Sequence, residues 1–383
     1  MKTTYLPLKG VKVLDIGLLI PPALTSIKLV ALGADVVKVE LPGVGDRLRH
    51  IPPCASDGEN PQFQPQSRGK RSIALNVKNP EDYALFMELA DQADVIVQNQ
   101  LPGVWQKLGV DFAEMRKKRP ALIVCSVTGF GLTGPLSQMP AHGLNMDALA
   151  DLLQIKWENG EPRVVPPFTS WGNEMGAANA AMAVCAALLE VRSSGQGAWI
   201  DSSCWDAIVE SHRTELAMMA RTGERFSNHD TKLGPLYDTY LSSDKRPVLL
   251  GALEPAFWQN FCRNIGREDL IGFHGGDQIE FGVKDDKMTA ILRDVFATAT
   301  AEEWNQRFID WNCPGCMVLE IEEVMKHPHF VARGIVEGKP GEWPNITNAV
   351  RWHHTNERAG SGMAPAPTLD GNRADILRDW LGK

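Results

Sequence analysis

The stretch VKVLDIG at residues 11–17, followed by DVVKVE at residues 35–40, decides the fold. Both runs are rich in β-branched residues, which favour strands. The segment between them, from Pro22 to Gly33, has the spacing of an amphipathic helix that ends at a glycine. Two strands separated by a helix predict parallel pairing, because parallel neighbours need a crossover connection. The chain therefore opens with one unit of a Rossmann-like sheet.

The same unit recurs over the next hundred residues. Further strand candidates are SIALNV (72–77), DVIVQN (94–99) and LIVCSVTGFG (122–131). A helix is expected to begin after Asn79, with Pro80 in its first turn, where a missing N–H costs nothing. The pattern predicts at least four strands of a parallel sheet.

The sequence pattern changes after these strands. An Ala-, Met- and Val-rich stretch from Asn173 to Leu189 predicts a buried helix, and the following WIDSSCWDAIVESHRTELAMMA predicts a strand that leads into another long helix. Beyond Arg221, short strands and helices predict a smaller α+β domain. The expected division is a first part of a large Rossmann-like domain at 1–205, a linker helix at 206–225, the small domain at 226–332 and a return to the large domain at 333–383.

Composition and charge narrow the possible functions. Of the 383 residues, 44% are hydrophobic and 22% are charged, which is typical of a globular protein. The formal net charge of −8 argues against nucleic acid and against an anionic membrane surface as partners. No run of sequence approaches the ~20 apolar residues of a membrane span, and no signal-peptide cleavage site follows the first residues. We therefore expect a cytoplasmic protein.

The seven cysteines lack the regular spacing of a disulfide framework and are expected to be reduced thiols. Cys313 and Cys316 form a CxxC pair. No second CxxC and no histidine pair stands nearby, so we expect no metal site.

Two segments near predicted strands suit a bound anion, since parallel sheets bind ligands at the ends of their strands. GFGLTGP (129–135) has three glycines and is either a structural turn or a phosphate cradle. SRGKRS (67–72) contains Arg68, Lys70 and Arg71, which suit either a phosphorylated ligand or a solvated basic turn.

Four further residues are candidates for acid–base chemistry or for stabilising an anion. His142 is either a structural histidine or a general base at neutral pH. Glu254 follows a strand among apolar residues; it is either a carboxylate that needs a partner or a helix N-cap, for which glutamate is not a favoured type. Asn173 and Glu174 begin the long helix, whose N-terminal N–H groups could stabilise an oxyanion.

Six segments occur in one order along the chain: LKGVKVLDIG, LGADVVKVELPGVGDRLR, RGKRSIALNVKNPED, ADVIVQNQLPGVWQKLGVD, SVTGFGLTGPLSQMP and SGQGAWIDSS. In these segments, and nearly end to end, the chain resembles the class III (CaiB/BaiF) CoA-transferases. That superfamily includes formyl-CoA transferase, carnitine CoA-transferase and α-methylacyl-CoA racemase. Two later segments, LLGALEPAFW and CPGCMVLEIEEVMKHPHFVARG, are more similar to the racemase branch.

The resemblance implies a large Rossmann-like domain built from both chain ends, a smaller inserted domain, and two chains threaded through each other as interlocked rings. It also implies coenzyme A, bound as an acyl thioester, with its nucleotide at the large domain and its thioester reaching toward the partner chain. By position, Lys38, Arg71, Asn99 and Lys107 fall where the family contacts CoA. Leu101 stands where the family often has arginine.

The reactive centre departs from the family pattern. In the transferases an aspartate at the start of the long helix attacks the thioester, and in the racemase it exchanges the α-proton. That position is Asn173 here. An amide neither forms the acyl anhydride nor carries a proton near neutrality. Adjacent Glu174 replaces it only if the helix start shifts, because neighbouring helical side chains point in different directions.

Other features of the reactive centre match the racemase. His142 matches its histidine base, and Glu254 matches the glutamate that supports the histidine. The aspartate that follows this histidine in the transferases is Gly143 here. The resemblance therefore implies a one-sided site, in which the histidine base is retained and the aspartate that would act opposite it is missing.

Three functions stay open. His142 could remove an α-proton while the enolate is held beside Asn173, which would support proton exchange, isomerisation or elimination. Alternatively, Glu174 serves a conventional transferase or racemase. In the third case the chain is a catalytically silent CoA-binding subunit, in a heterodimer with an active paralogue instead of a homodimer.

The acyl group is not identified by the sequence. The segment from Gly143 to Arg163 is a candidate lining for an apolar acyl pocket, although an ordinary core has the same pattern. Its bulky apolar members are Met146, Leu152, Leu153 and Trp157.

Overall fold

A computed structural model describes residues 5–383 except for 57, 166–168, 226–233, 278, 280–284, 340 and 356. The chain forms two compact units. The first comprises Met1–Arg213 and Arg333–Lys383, and the second is Thr214–Ala332. A hydrophobic core lies inside each of them.

The strands in the described part of the chain are β1 (Lys12–Asp15), β2 (Asp35–Glu40), β3 (Arg71–Ala74), β4 (Val95–Gln98), β5 (Ile123–Thr128), β6 (Ile155–Glu158), β7 (Glu161–Val164), β8 (Trp199–Ser203), β9 (Thr239–Leu241), β10 (Pro247–Leu250), β11 (Gly315–Met317), β12 (Val336–Glu337), β13 (Asn345–Ile346), β14 (Arg351–Trp352) and β15 (Glu357–Arg358).

The helices are α1 (Ile20–Ala31), α2 (Phe63–Ser67), α3 (Pro80–Gln92), α4 (Val104–Lys107), α5 (Phe112–Lys118), α6 (Gly143–Leu149), α7 (Trp171–Ser194), α8 (Cys204–Ser211), α9 (Arg213–Thr222), α10 (Pro255–Asn264), α11 (Asp286–Phe296), α12 (Ala301–Asp310), α13 (Ile321–Val324), α14 (Pro328–Arg333) and α15 (Arg373–Ile376). Short 3-10 turns occupy Arg47–Arg49 and Glu268–Phe273, and a π turn occupies Leu377–Leu381.

A six-stranded sheet in the order β3-β2-β1-β4-β5-β8 forms the centre of the first unit, and every pair in it is parallel. This confirms the predicted α/β fold class with a parallel sheet. The first helix starts at Ile20, two residues before the predicted start, because Pro21 and Pro22 fit its first turn. The strand order reverses between β1 and β4, and such a reversal opens a crevice at the carboxyl ends of the strands.

Both faces of the sheet are covered. On one face, Leu29 of α1 and Val184 of α7 lie in one core with Val97 of β4. On the other, Phe86 of α3 shares a core with Trp380 from the C-terminal π turn. The Trp380 indole N–H also donates to an Asp35 oxygen at 2.7 Å, so the last residues of the chain are tied to β2.

Helix α7 is longer than the predicted 173–189 and is buried on one face only. Small residues such as Gly176 and Ala180 are buried, whereas Met182 and Leu189 are 67% and 66% exposed. By length and composition α7 could cross a membrane, so the expectation that no stretch reaches that length was wrong. The core helix of a soluble protein passes the same test, and α7 packs against α1, β5 and α8.

The predicted long helix after β8 is two helices. The His212 N–H is shared between the carbonyls of Ile208 and Val209, at 3.3 and 3.1 Å, so the end of α8 tightens toward a 3-10 turn. A new helix, α9, then begins at Arg213, the last residue of the first unit before the chain passes to the second.

The second unit contains a three-stranded antiparallel sheet in the order β11-β10-β9. Helices α10, α11 and α12 contribute bulky aromatic residues to its core, among them Trp258, Phe296 and Trp304. The seven cysteines of the chain are free thiols.

Candidate active site

A cleft of about 440 Å³ lies at the crevice between β1 and β4. Its walls come from the loop after β1, the loop after β4, the end of β5 and the segment that leads into α6. His142 and Asn173 both line it. They also line a second recess of about 570 Å³, whose other members include Gln62, Gln66 and Glu174. The fold therefore brings two of the predicted catalytic residues to one site.

The imidazole of His142 is available to a ligand. His142 is the N-cap residue of α6, and its backbone N–H donates to Asn145 Oδ1 at 2.8 Å. The residue is exposed. Its carbonyl oxygen accepts the Asn145 N–H at 2.9 Å. The backbone of His142 is thus fixed by Asn145, and its exposed imidazole borders the cleft.

The carboxamide of Asn173 also faces this site. Asn173 is the third residue of α7, is 7% exposed, and its backbone N–H donates to Ser170 Oγ at 3.3 Å. Within the described residues its side-chain amide has no hydrogen-bond partner. An amide held here can donate hydrogen bonds but cannot act as a nucleophile.

Gly143 allows the start of α6 to approach α7 closely. A Cβ atom at Gly143 would lie 2.3 Å from Ser170 Cβ and 2.8 Å from Asn173 Nδ2. These distances are too short for any side chain without movement of α6 or α7. The aspartate that the transferases carry after the histidine therefore has no room in this arrangement.

Asp147 is a site residue that the sequence analysis missed. It is buried, and its Oδ1 accepts the Gly172 N–H at 2.9 Å and the Ser170 hydroxyl at 3.3 Å. The chain thus places its own carboxylate at the start of α7, where the helix dipole favours negative charge. One feature of the sequence could have revealed Asp147: it is an aspartate next to Met146, on the apolar side of a short helix. Asp147 and Ser170 thus occupy the Gly172 and Asn173 N–H groups, whereas the Asn173 carboxamide has no partner among the described residues.

Glu174 and Glu254 are not among the described residues that line the cleft. Glu174 lines the recess and a further cavity beside Gln66, but it is not part of the cleft lining. Glu254 belongs to the second unit, where it is the N-cap residue of α10 without a side-chain capping bond. Its pairing with His142 stays a prediction.

Comparison with known proteins identifies the family. A family model described as CoA-transferase family III matches residues 8–373. The chain belongs to CoA-transferase family III.

The family III chain has named relatives over most of its length. It is 35% identical to the succinyl-CoA:glutarate CoA-transferase of Mus musculus, over 86% of this chain and 76% of that one. It is 26% identical to the succinyl-CoA–L-malate CoA-transferase beta subunit of Chloroflexus aurantiacus, over 99% and 95%. A crystal structure of a hypothetical protein from Mycobacterium tuberculosis superposes with a TM-score of 0.82 at 28% identity, over 96% of this chain and 99% of that one.

Two of the four predicted CoA contacts are bound to carboxylates of this chain. Lys38 is 2% exposed; its Nζ lies 2.8 Å from Asp46 Oδ2 and 3.5 Å from Asp15 Oδ1, and it donates to the Gly17 carbonyl at 2.6 Å. Burial lowers the pKa of Lys38, but Asp15 and Asp46 outweigh this, and the pKa is raised. Arg71 is paired with Asp35 and, at 2.9 Å, with Asp379.

The other two predicted contacts are placed differently. Lys107 is exposed at the end of α4. Asn99 lines the cleft, and its amide accepts the Leu18 N–H at 2.9 Å and donates to the Leu18 carbonyl at 2.8 Å. Leu101, at the position where the family often has arginine, is also part of the cleft wall.

The loop after β1 is held in an unusual conformation in the family III chain. Leu19 has φ 64° and ψ −149°, a region that residues with a side chain rarely adopt. Lys38 holds Gly17, Asn99 holds Leu18, and Asp46 accepts the Leu19 N–H at 3.1 Å. These side chains fix the wall of the cleft that Leu18 and Leu19 form.

Lys70, a candidate from the basic segment 67–72, is buried beneath the same loop. Its Nζ lies 3.3 Å from Asp15 Oδ2 and 3.2 Å from the Ala23 carbonyl. Burial lowers its pKa to about 8, against the opposing attraction of Asp15. Arg68 donates to the carbonyls of Trp343 and Met363. The basic segment is therefore bonded within the chain.

The predicted acyl-pocket segment separates into two environments. Met146 is buried and lines the cleft, and Leu152 packs against the core of the large unit. Trp157 lies on the β6–β7 hairpin and is 69% exposed. Among the described residues, no group of three His, Cys, Asp or Glu side chains could hold a metal ion.

Proposed function

We propose that this chain acts on the α-carbon of acyl-CoA thioesters, with His142 as the base and the Asn173 carboxamide as the donor to the thioester oxygen. The observation that carries the proposal is that both residues line one cleft, where His142 is exposed and the Asn173 carboxamide has no hydrogen-bond partner among the described residues. Coenzyme A enters as the substrate thioester, and the chemistry requires no metal.

The proton and electrons balance within this arrangement. The His142 imidazole accepts the α-proton, the Cα–H electron pair becomes the enolate, and negative charge develops on the former carbonyl oxygen. The Asn173 Nδ2–H donates to that oxygen. Return of the proton from the imidazole restores the thioester. Because an amide cannot deliver a proton to the opposite face, the expected outcome is exchange with solvent that retains configuration.

CoA binding is proposed to use the loops after β1 and β4. Asn99 supports this because it lines the cleft and orders Leu18, and exposed Lys107 can reach a phosphate. Lys38 and Arg71 fall at the family's contact positions, but their carboxylate partners favour a supporting role. Lys38 then acts on the ligand through the Gly17 carbonyl.

The proposed assembly is the interlocked dimer of the family, in which Glu254 of one chain supports His142 of the other. The placement of the two residues in different units is compatible with that exchange. Loss of exchange in Glu254→Gln with unchanged CoA affinity would support it, and unaffected exchange would contradict it.

A second function is favoured by one relative. The Chloroflexus aurantiacus protein is named a beta subunit, and an asparagine in place of the nucleophile would suit a subunit that binds CoA while a paralogue performs transfer. Co-purification with a homologous chain that keeps the aspartate, together with transfer activity only in the mixture, would favour this reading.

Two variants distinguish the proposal from a conventional reaction through Glu174. Deuterium incorporation from D₂O into a 2-methylacyl-CoA is followed by mass spectrometry. Asn173→Ala is expected to slow exchange by about 10²-fold or more, which is the effect of removing one oxyanion donor. Glu174→Gln is expected to leave exchange unchanged. The reverse pattern would assign the chemistry to Glu174.

A further inference from the structure

Asp147 is a buried carboxylate that is stabilised by neutral donors. It is 2% exposed, and its Oδ1 accepts the Gly172 N–H at 2.9 Å and the Ser170 hydroxyl at 3.3 Å. Within the described part of the chain, no lysine, arginine or histidine forms an ion pair with it. Its charge affects a buried neighbour: burial raises the pKa of the Cys204 thiol to about 12, and Asp147 adds to this rise. The start of α7 therefore already contains one negative charge without a counterion.

The side chain at position 173 lies close to this charge. Ser170 Oγ and Asn173 Nδ2 stand 2.6 and 2.8 Å from the point that a Gly143 Cβ would occupy, so these two groups are neighbours. The same Ser170 hydroxyl donates to Asp147. The Ser170 hydroxyl is thus near both the Asp147 carboxylate and the side chain at position 173.

A second carboxylate at position 173 would be unfavourable for two reasons. Like charges in buried surroundings raise the pKa of one of the two acids, and a protonated acid is a poor nucleophile. The backbone donors that could stabilise an anion at the start of α7 are also occupied, the Gly172 N–H by Asp147 and the Asn173 N–H by Ser170. Asparagine has nearly the shape of aspartate without its charge, so it avoids both costs.

We infer that Asp147 keeps a nucleophilic carboxylate out of position 173 and so determines which class of reaction the site supports. A carboxylate at 173 would attack the thioester carbon, the C–S bond would break, CoA would leave as the thiolate and an acyl anhydride would form. Asp147 opposes this step by its charge, without contact with the substrate, and is a specificity-determining residue. The inference goes beyond the proposed function, because it does not require α-proton exchange.

Acylation of designed variants tests the inference. Asn173→Asp and the double variant Asn173→Asp/Asp147→Asn are incubated with succinyl-CoA from pH 4.5 to 8.5, and intact mass spectrometry follows the hydroxylamine-sensitive adduct. Asp147→Asn removes the charge but keeps an oxygen that can accept both hydrogen bonds. The midpoint of the pH–rate profile is expected to be about one unit or more lower in the double variant, with similar rates for both variants at the alkaline end. Other titratable side chains on the surrounding elements, such as His142, Glu174, Cys204 and Lys28, are the same in both variants.

Matched controls separate this effect from a structural role. Asn173→Asp/Asp206→Asn removes an exposed carboxylate on α8 and is expected to keep the midpoint of Asn173→Asp. Asp147→Asn alone should form no adduct, because Asn173 is still an amide. Urea denaturation and the Kd for CoA confirm that each variant is folded.

Three outcomes would overturn the inference. These are equal midpoints in Asn173→Asp and the Asp147 double variant, an equal shift in the Asp206 double variant, and no adduct in the Asp147 double variant. A structural role for Asp147 would slow acylation at every pH and leave the midpoint in place. Absence of α-proton exchange in wild type would contradict the proposed function and leave this inference standing.

Discussion

The Asp147 carboxylate accepts the Gly172 backbone N–H at 2.9 Å, at the start of the helix that carries Asn173. The positive end of α7 therefore already faces a buried negative charge from its own chain. In the proposed reaction, the Asn173 carboxamide is therefore the group assigned to the enolate oxygen. The same contact fixes α6 to α7, which keeps His142 and Asn173 on one cleft.

Removal of the Asp147 carboxylate should destabilise the large unit. Asp147→Ala leaves the Gly172 N–H buried without its acceptor, and the free energy of unfolding is expected to fall by about 2 kcal/mol. Urea denaturation measures this. The control is Asp91→Ala on the exposed side of α3, for which a change within about 0.5 kcal/mol is expected. Equal effects of the two substitutions would show that the Asp147 contact contributes no stability.

Gly143 should tolerate no side chain. In Gly143→Ala the new Cβ meets Ser170 and the Asn173 amide, so we expect a loss of about 1–3 kcal/mol in unfolding free energy and slower exchange. Gly272→Ala serves as the control, because its Cβ would meet no atom within 4 Å. If Gly143→Ala matches this control in both measurements, the close approach of α6 to α7 is wrong.

Asn173→Asp should install the missing nucleophile. Its side chain faces the cleft, so a carboxylate there could attack a thioester, expel the CoA thiolate and form an acyl anhydride. Intact mass spectrometry after incubation with succinyl-CoA is expected to show a hydroxylamine-sensitive acyl adduct in Asn173→Asp and none in Asn173→Ala. An adduct of equal yield in wild type would assign the nucleophile to another residue.

Lys70 should make stability depend on alkaline pH. Its pKa of about 8 in the folded chain lies below the ordinary value of 10.5, so the unfolded chain binds more protons between these values. Stability therefore rises with pH across that window. From pH 7.5 to 9.5 the unfolding free energy of wild type should increase by roughly 1–2 kcal/mol relative to Lys70→Met. A difference independent of pH would mean that Lys70 titrates normally.

The fold could be predicted from the sequence because its signals are local. The parallel strands β2, β4 and β5 are short runs rich in β-branched residues, and Asn79 with Pro80 marks the start of α3 as observed. The break after Ser211 could not be predicted, since the residues on both sides of His212 keep a helical pattern.

The site was only partly predictable because its contacts are distant in sequence. The resemblance assigned roles to His142 and Asn173. Nothing local in the sequence indicates that Asp147 accepts the Gly172 N–H, or that Asp46 and Asp15 form ion pairs with Lys38. Trp157 is bulky and apolar, as pocket-lining residues often are, but it lies exposed on a hairpin. Burial and ion pairing of this kind depend on the tertiary arrangement of several elements.

The most direct measurement is α-proton exchange in D₂O with two 2-methylacyl-CoA thioesters, one carrying a terminal carboxylate and one without it, in wild type and in His142→Ala. We expect wild type to incorporate one deuterium at the α-carbon with retained configuration, and His142→Ala to abolish incorporation without changing the Kd for CoA. Exchange that persists unchanged in His142→Ala, or tight CoA binding by wild type with no exchange of either thioester, would contradict this expectation.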